Sequence, residues 1–87
     1  MAEITVTAEN GAYRVTVSEG GSSTSHRVTV AELDYDRLKK GEESAEELVR
    51  RSFEFLLERE GKESIMSSFD LMVIAHYFPE YEKKITL

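Results

Sequence analysis

Ile4-Thr5-Val6-Thr7-Ala8-Glu9-Asn10-Gly11-Ala12-Tyr13-Arg14-Val15-Thr16-Val17 is the stretch that decides the fold. Ile4, Val6 and Ala8 alternate with Thr5, Thr7 and Glu9. Tyr13, Val15 and Val17 alternate with Arg14, Thr16 and Ser18. A period of two is the pattern of strands buried on one face. Between the runs stands Asn10-Gly11, a pair that tolerates the positive φ needed at both central positions of a type I′ turn. A two-residue turn pairs Glu9 with Ala12. It sets Ala8 against Tyr13, Val6 against Val15 and Ile4 against Val17, with all six on one face. Turn chemistry and alternation reach that register independently.

Thr24 to Val30 continues the alternation, with His26, Val28 and Val30 on the apolar side. Gly20 to Ser25 has loop composition. A four-residue loop over Gly20 to Ser23 is expected, with His26 opposite Val17, Val28 opposite Val15 and Val30 opposite Tyr13. A slip of one residue would turn Arg27 into the core and is rejected. The first strand carries neither Pro nor Lys, the usual devices that stop an edge from pairing with another chain.

Ala31 to Glu43 reads as an irregular or single-turn connector whose Leu33, Tyr35 and Leu38 tuck against the core. Ser44-Ala45-Glu46-Glu47 is a capping box, in which Ser44 and Glu47 each satisfy a free backbone N–H. Gly61 suits the residue after a helix end. A helix is therefore expected over about 45–60, with Ala45, Leu48, Val49, Ser52, Phe53 and Leu56 facing inward. Phe55 and Leu57 widen its apolar arc on opposite flanks. Either the last segment or a second subunit must cover a flank. Glu63 to Ser68 reads as a helical turn. A shorter helix follows over about 70–77, started at Ser67 or Ser68 and stopped by Pro79. The rival reading makes Leu71 to Tyr77 a strand. The expectation is an α+β single domain over 1–87: a three-stranded antiparallel meander covered on one face by the two helices.

Composition narrows the function classes. The chain has 87 residues and 9.9 kDa, with 40% apolar and 32% charged residues, the balance of a globular domain. Cysteine is absent, which excludes disulfides and thiolate metal sites. A net charge of −6 disfavours nucleic-acid phosphates and anionic membranes as partners. No apolar run approaches the ~20 residues of a membrane span, and the first ten residues lack the basic and apolar regions of a signal peptide. A cytoplasmic setting is expected.

No phosphate-binding glycine loop, nucleophile elbow or paired-histidine zinc motif occurs. The candidate general bases are His26 and His76. His26 would need an orienting carboxylate, for which Glu19 is the nearest across the expected hairpin. Ser25 points to the opposite face of the strand. Two distant histidines do not make a metal site, so neither metal nor cofactor is expected. Asp34-Tyr35-Asp36 lacks the calcium-loop spacing. A helix over Asp70 to Tyr77 offers no Arg, Lys, Asn or Gln to read a base edge, so no nucleic acid is expected. Phe55, Leu57, Tyr77 and Tyr81 are the candidate partner-binding residues, since aromatic and aliphatic side chains beyond the inner stripe mark interfaces.

Two resemblances follow from these residues. Glu46-Glu47-Leu48-Val49-Arg50-Arg51-Ser52-Phe53, Phe55 to Glu60, Phe69-Asp70-Leu71 and Tyr77-Phe78-Pro79-Glu80-Tyr81 resemble a family of short, uncharacterised prokaryotic proteins. That resemblance implies a prokaryotic source and carries no activity. A hairpin with Asn10-Gly11-Ala12-Tyr13, a third strand and a capped helix is similar in layout to HicB-type antitoxin domains, without their Pro-Gly-rich segment. The functional expectation is a non-catalytic interaction or regulatory module that binds a protein partner or a second copy of itself. The alternatives are an antitoxin-like regulator holding a small basic protein, and a small hydrolase using a histidine.

Overall fold

The computed structural model describes residues 2–87. Among them are four strands, β1 (Glu3–Glu9), β2 (Ala12–Glu19), β3 (Ser22–Thr29) and β4 (Ser68–Asp70), and four helices, α1 (Glu32–Leu38), α2 (Ala45–Leu57), α3 (Val73–Tyr77) and α4 (Tyr81–Ile85). The strands form one mixed sheet in the order β1-β2-β3-β4. The expected α+β class is present; the sheet is larger than the expected three-stranded meander by the short β4, which runs parallel to β3.

The first hairpin has the expected register, Ala8 against Tyr13, Val6 against Val15 and Ile4 against Val17. Asn10 (φ 50°) and Gly11 (φ 78°) supply the left-handed turn. Ile4, Val15 and Val17 are buried, whereas Ala8 at the outer end of β1 is exposed.

The second hairpin differs from expectation. Gly20 (φ 65°) and Gly21 (φ 82°) make a second two-residue turn, and Ser22 and Ser23 belong to β3 instead of the loop. His26 lies opposite Val15 and Val28 opposite Tyr13, a shift of two residues from the expected pairing. A shift of two leaves every side chain on its original face, so alternation could not distinguish the registers. Two adjacent glycines that accept positive φ decide for the tighter turn.

The second half of the connector is irregular, and the first half is helical, α1. Acidic Glu32 and Asp34 stand in its first turn and Arg37 in its last, matching the helix dipole. Leu38 is buried and Tyr35 donates a hydrogen bond to the Glu43 carbonyl oxygen at 2.6 Å. Leu33 does not tuck in; it is 82% exposed.

Ser44 and Glu47 form the capping box reciprocally, at 3.1 and 2.9 Å. Leu48, Val49, Ser52, Phe53 and Leu56 are buried, and Ala45 is half-buried. The helix stops at Leu57, short of the expected residue 60, and Gly61 keeps an ordinary φ of −75°. Arg59 supplies the end instead. It folds back to donate to the Phe55 carbonyl oxygen at 3.1 Å and lays its guanidinium 3.6 Å over the Phe55 ring.

The remaining chain closes the core in short pieces. A 3₁₀ turn (Lys62–Ser64) leads to β4. The expected helix start near residue 70 is a strand end: Asp70 accepts from Thr29 Oγ1 at 2.8 Å and from the Met72 N–H at 3.1 Å, a side-chain turn that ends β4 and opens the way to α3. Pro79 follows α3 as expected. Tyr81 is wholly buried, donates to Ser52 Oγ at 2.6 Å, and leaves Ser52 to donate to the Leu48 carbonyl oxygen at 2.8 Å. Arg51 joins Glu43 to the Ile85 carbonyl oxygen and, as the main hydrogen-bond donor to Glu43, holds that carboxyl below its ordinary range.

Candidate apolar cleft beside Tyr77

The short pieces of the C-terminal third do not close completely over the end of α2. Between that end, the approach to β4 and α3 lies a cleft of about 410 Å³. Buried Leu56, Ile65 and Ile74 contribute to its lining. Met66 (41% exposed) and Tyr77 (63% exposed) also line it, with Phe69, Val73 and Phe78. Glu60 and Ser64 are the polar residues of the lining. Among the described residues Glu60 forms no ion pair, whereas neighbouring Arg59 pairs with Glu58 and Glu80, and Lys62 with Glu63. A broader hollow shares Met66, Phe69, Val73 and Tyr77 and adds His76 and Asp70, so the apolar surface continues around Tyr77.

The cleft exists because β4 is only three residues long. Asp70 turns the chain away from the sheet, and α3 is stopped by Pro79 after five residues. Leu56 and Ile65 are buried at the floor of the cleft, while Met66 and Tyr77 stay exposed at its edge. Volume and lining fit the uptake of an apolar side chain or small apolar ligand.

The candidate residues fall into different places. Tyr77 lines the cleft. Phe55 and Tyr81 do not reach the surface: their rings meet edge to face at 5.3 Å, Phe78 packs against Phe55 at 6.0 Å, and both residues are buried. The C-terminal segment is therefore what covers that flank of α2, and burial pushes the Tyr81 hydroxyl up to about 12. Leu57 is half-buried against the core and does not line the cleft. Met66, Phe69 and Ile65 were not among the candidate site residues; their spacing carries no single period, because a 3₁₀ turn, a strand and a helix follow one another within sixteen residues.

His26 is a core histidine, 4% exposed, with its ring 5.4 Å from that of Phe53. Nδ1 lies 2.8 Å from the Met66 carbonyl oxygen and Nε2 lies 2.8 Å from Thr24 Oγ1. A carbonyl only accepts, so Nδ1 carries a proton and donates to Met66, while Nε2 and the Thr24 hydroxyl share the second hydrogen bond. Glu19, the expected orienting carboxylate, sits at the turn opposite Ser22 instead. Ser25 faces the other way and meets Arg14. His76 is exposed, its ring edge-on to Tyr77 at 5.3 Å. Among the described residues no group of three or more metal-binding side chains gathers, and no helix is long and apolar enough to cross a membrane. Comparison with protein-family models, with curated proteins and with solved structures finds no match to this chain.

Proposed function

We propose that this chain is a non-catalytic, cytoplasmic interaction module of prokaryotic origin that holds a basic protein partner in the cleft beside Tyr77. The carrying observation is a cleft of about 410 Å³ with half-exposed Met66 and Tyr77 in its lining. Apolar surface of this kind, bordered by polar groups, marks interaction sites. Charge selects the partner: the net charge is −6, and the carboxylate at the cleft, Glu60, has no cation of its own among the described residues. The occupant is an apolar anchor flanked by Lys or Arg. An antitoxin-like regulator holding a small basic protein would use the same chemistry. The prokaryotic origin rests on the resemblance of residues 44–81.

The test uses two synthetic amphipathic peptides of equal length, one of Leu and Lys and one of Leu and Glu. The Lys peptide is expected to shift the Met66 methyl and Tyr77 ring signals in NMR titration. Tyr77→Ala is expected to weaken it about tenfold, an anchor loss of about 1.4 kcal/mol. Equal binding of both peptides, or shifts confined to other surfaces, would overturn the reading.

A second reading has an observation of its own. β1 is an edge strand of the sheet. The two-residue turn makes Glu9 and Ala12 a hydrogen-bonded pair, so alternation leaves the backbone groups of Ile4, Val6 and Ala8 facing outward. A second copy pairing antiparallel about Val6 would use all three. It would also set Glu3 against Glu9 at both ends, a like-charge opposition, and the cleft therefore carries the main reading.

A further inference from the structure

The sheet face turned away from Val15 and Phe53 carries hydroxyls: Thr5 and Thr7 on β1, Thr16 on β2, Ser23 and Ser25 on β3. In its middle, Arg14 and Arg27 lie directly opposite each other across β2 and β3. The Gly20-Gly21 turn makes Glu19 and Ser22 a hydrogen-bonded pair. Counting back, the arginines occupy a non-hydrogen-bonded pair, the kind in which facing side chains stand closest. Two like charges so placed repel unless an anion lies between them.

One of the two is already matched. Glu9 takes the Nε and Nη2 edge of Arg14, at 3.2 and 2.9 Å, and the Arg14 guanidinium holds the Glu9 carboxyl below its ordinary range. Arg14 Nη1 is left pointing at Ser25 Oγ, 3.4 Å away. Arg27 forms no ion pair among the described residues, although its charge also helps to lower the Glu9 carboxyl. Arg14, Arg27, Ser25 and Ser67 line one hollow of about 210 Å³ together with Tyr13, His26 and Glu9, whose carboxylate stays on the Arg14 side.

We propose that this hollow binds the phosphate of a phosphomonoester between Arg14 Nη1 and the Arg27 guanidinium, with the Ser25 and Ser67 hydroxyls as further donors. Carboxylate is the weaker fit. Its two oxygens are satisfied by one guanidinium fork, as Glu9 demonstrates on Arg14. A second guanidinium and two hydroxyls match the three terminal oxygens of a phosphate monoester. The site lies on the sheet face opposite the core and does not depend on the cleft beside Tyr77.

The test titrates the ¹⁵N-labelled chain with phenyl phosphate, with a phosphoserine tripeptide, with acetate, and with chloride at matched ionic strength. The expected result is saturable shifts of the Arg14 and Arg27 side-chain Nε–Hε signals with a phosphomonoester, tightest for whichever form is the source. Acetate is expected to bind at least tenfold more weakly. Arg27→Gln should lower the affinity about tenfold, whereas Arg50→Gln, which removes an exposed charge on α2, should leave it unchanged. Shifts that chloride reproduces, shifts that fail to saturate, or an equal loss in both variants would overturn the site.

Discussion

The meander and the C-terminal third are of similar size and are held by contacts of different kinds. In the meander, each strand pairs with its sequence neighbour across a two-residue turn. The C-terminal third is held by partners far away in the chain. His26 meets Met66 across 40 residues, Thr29 meets Asp70 across 41, Arg51 meets Ile85 across 34 and Ser52 meets Tyr81 across 29. In the first region, turn chemistry and strand alternation next to each other in sequence specify the pairing. In the second region, the specifying contacts are with the first and with α2. The candidate cleft lies in that second region, where short elements meet imperfectly. The arginine pair lies in the first, on the sheet face turned away from the core.

The largest effect is expected at the joint between the two. Phe53 is fully buried on α2 and touches the ring of His26, 5.4 Å away, and that of Phe69, 6.0 Å away. Phe53→Ala would leave a cavity in contact with both regions and cost about 3–5 kcal/mol, a large fraction of the stability of a domain this small. Urea denaturation checks the value. Hydrogen exchange sharpens the comparison: amides of residues 62–87 should lose protection before those of β1 to β3. Simultaneous loss would mean that the two regions fold as one unit.

A smaller effect isolates the C-terminal third. Burial pushes Tyr81 up to about 12 from an ordinary 10.0. A phenol whose folded value exceeds its unfolded one keeps its full contribution below the unfolded value and loses it as pH rises toward the folded one. Stability should therefore fall between pH 10 and 12 by roughly 2–3 kcal/mol from this group. Tyr81→Phe removes the titrating hydroxyl, leaves Ser52 its bond to Leu48, and should flatten that part of the pH profile. An unchanged profile in the variant would show that other groups drive the alkaline loss.

The same contrast explains how much was legible in the sequence. The first hairpin could be read to the residue because Asn10-Gly11 and the alternation are separate signals that agree. The second could be read as to face and not as to register, since a two-residue slip costs no burial and only the Gly20-Gly21 turn decides it. That slip also hid the arginine pair: the expected register sets Arg14 opposite Thr29, and the observed one sets it opposite Arg27. The start of α2 was plain from its capping box. Its end was not, because Arg59 reaching back to Phe55 leaves no glycine signature. β4 was misread as a helix start because a three-residue strand is too short to show alternation. Its pairing depends on β3, some 40 residues earlier. The cleft was legible only through Tyr77, since Met66 and Phe69 have no periodic context.

The smallest effect tests the claim that the meander is specified locally. Gly11 has a φ of 78°, and a Cβ added there meets nothing within 4 Å. Gly11→Ala would therefore act through the backbone alone, as left-handed strain of about 1 kcal/mol. If the turn fixes the register, the loss should appear in denaturation as a change of midpoint with the slope retained. The cross-strand contact between Val6 and Val15 should also persist in NMR. A Gly11→Ala chain that loses this contact, or that costs as much as Phe53→Ala, would show that the register depends on this one residue and that alternation adds little. A cost near 1 kcal/mol with the contact intact leaves turn and alternation as two independent determinants, each sufficient to hold the pairing once α2 has covered it.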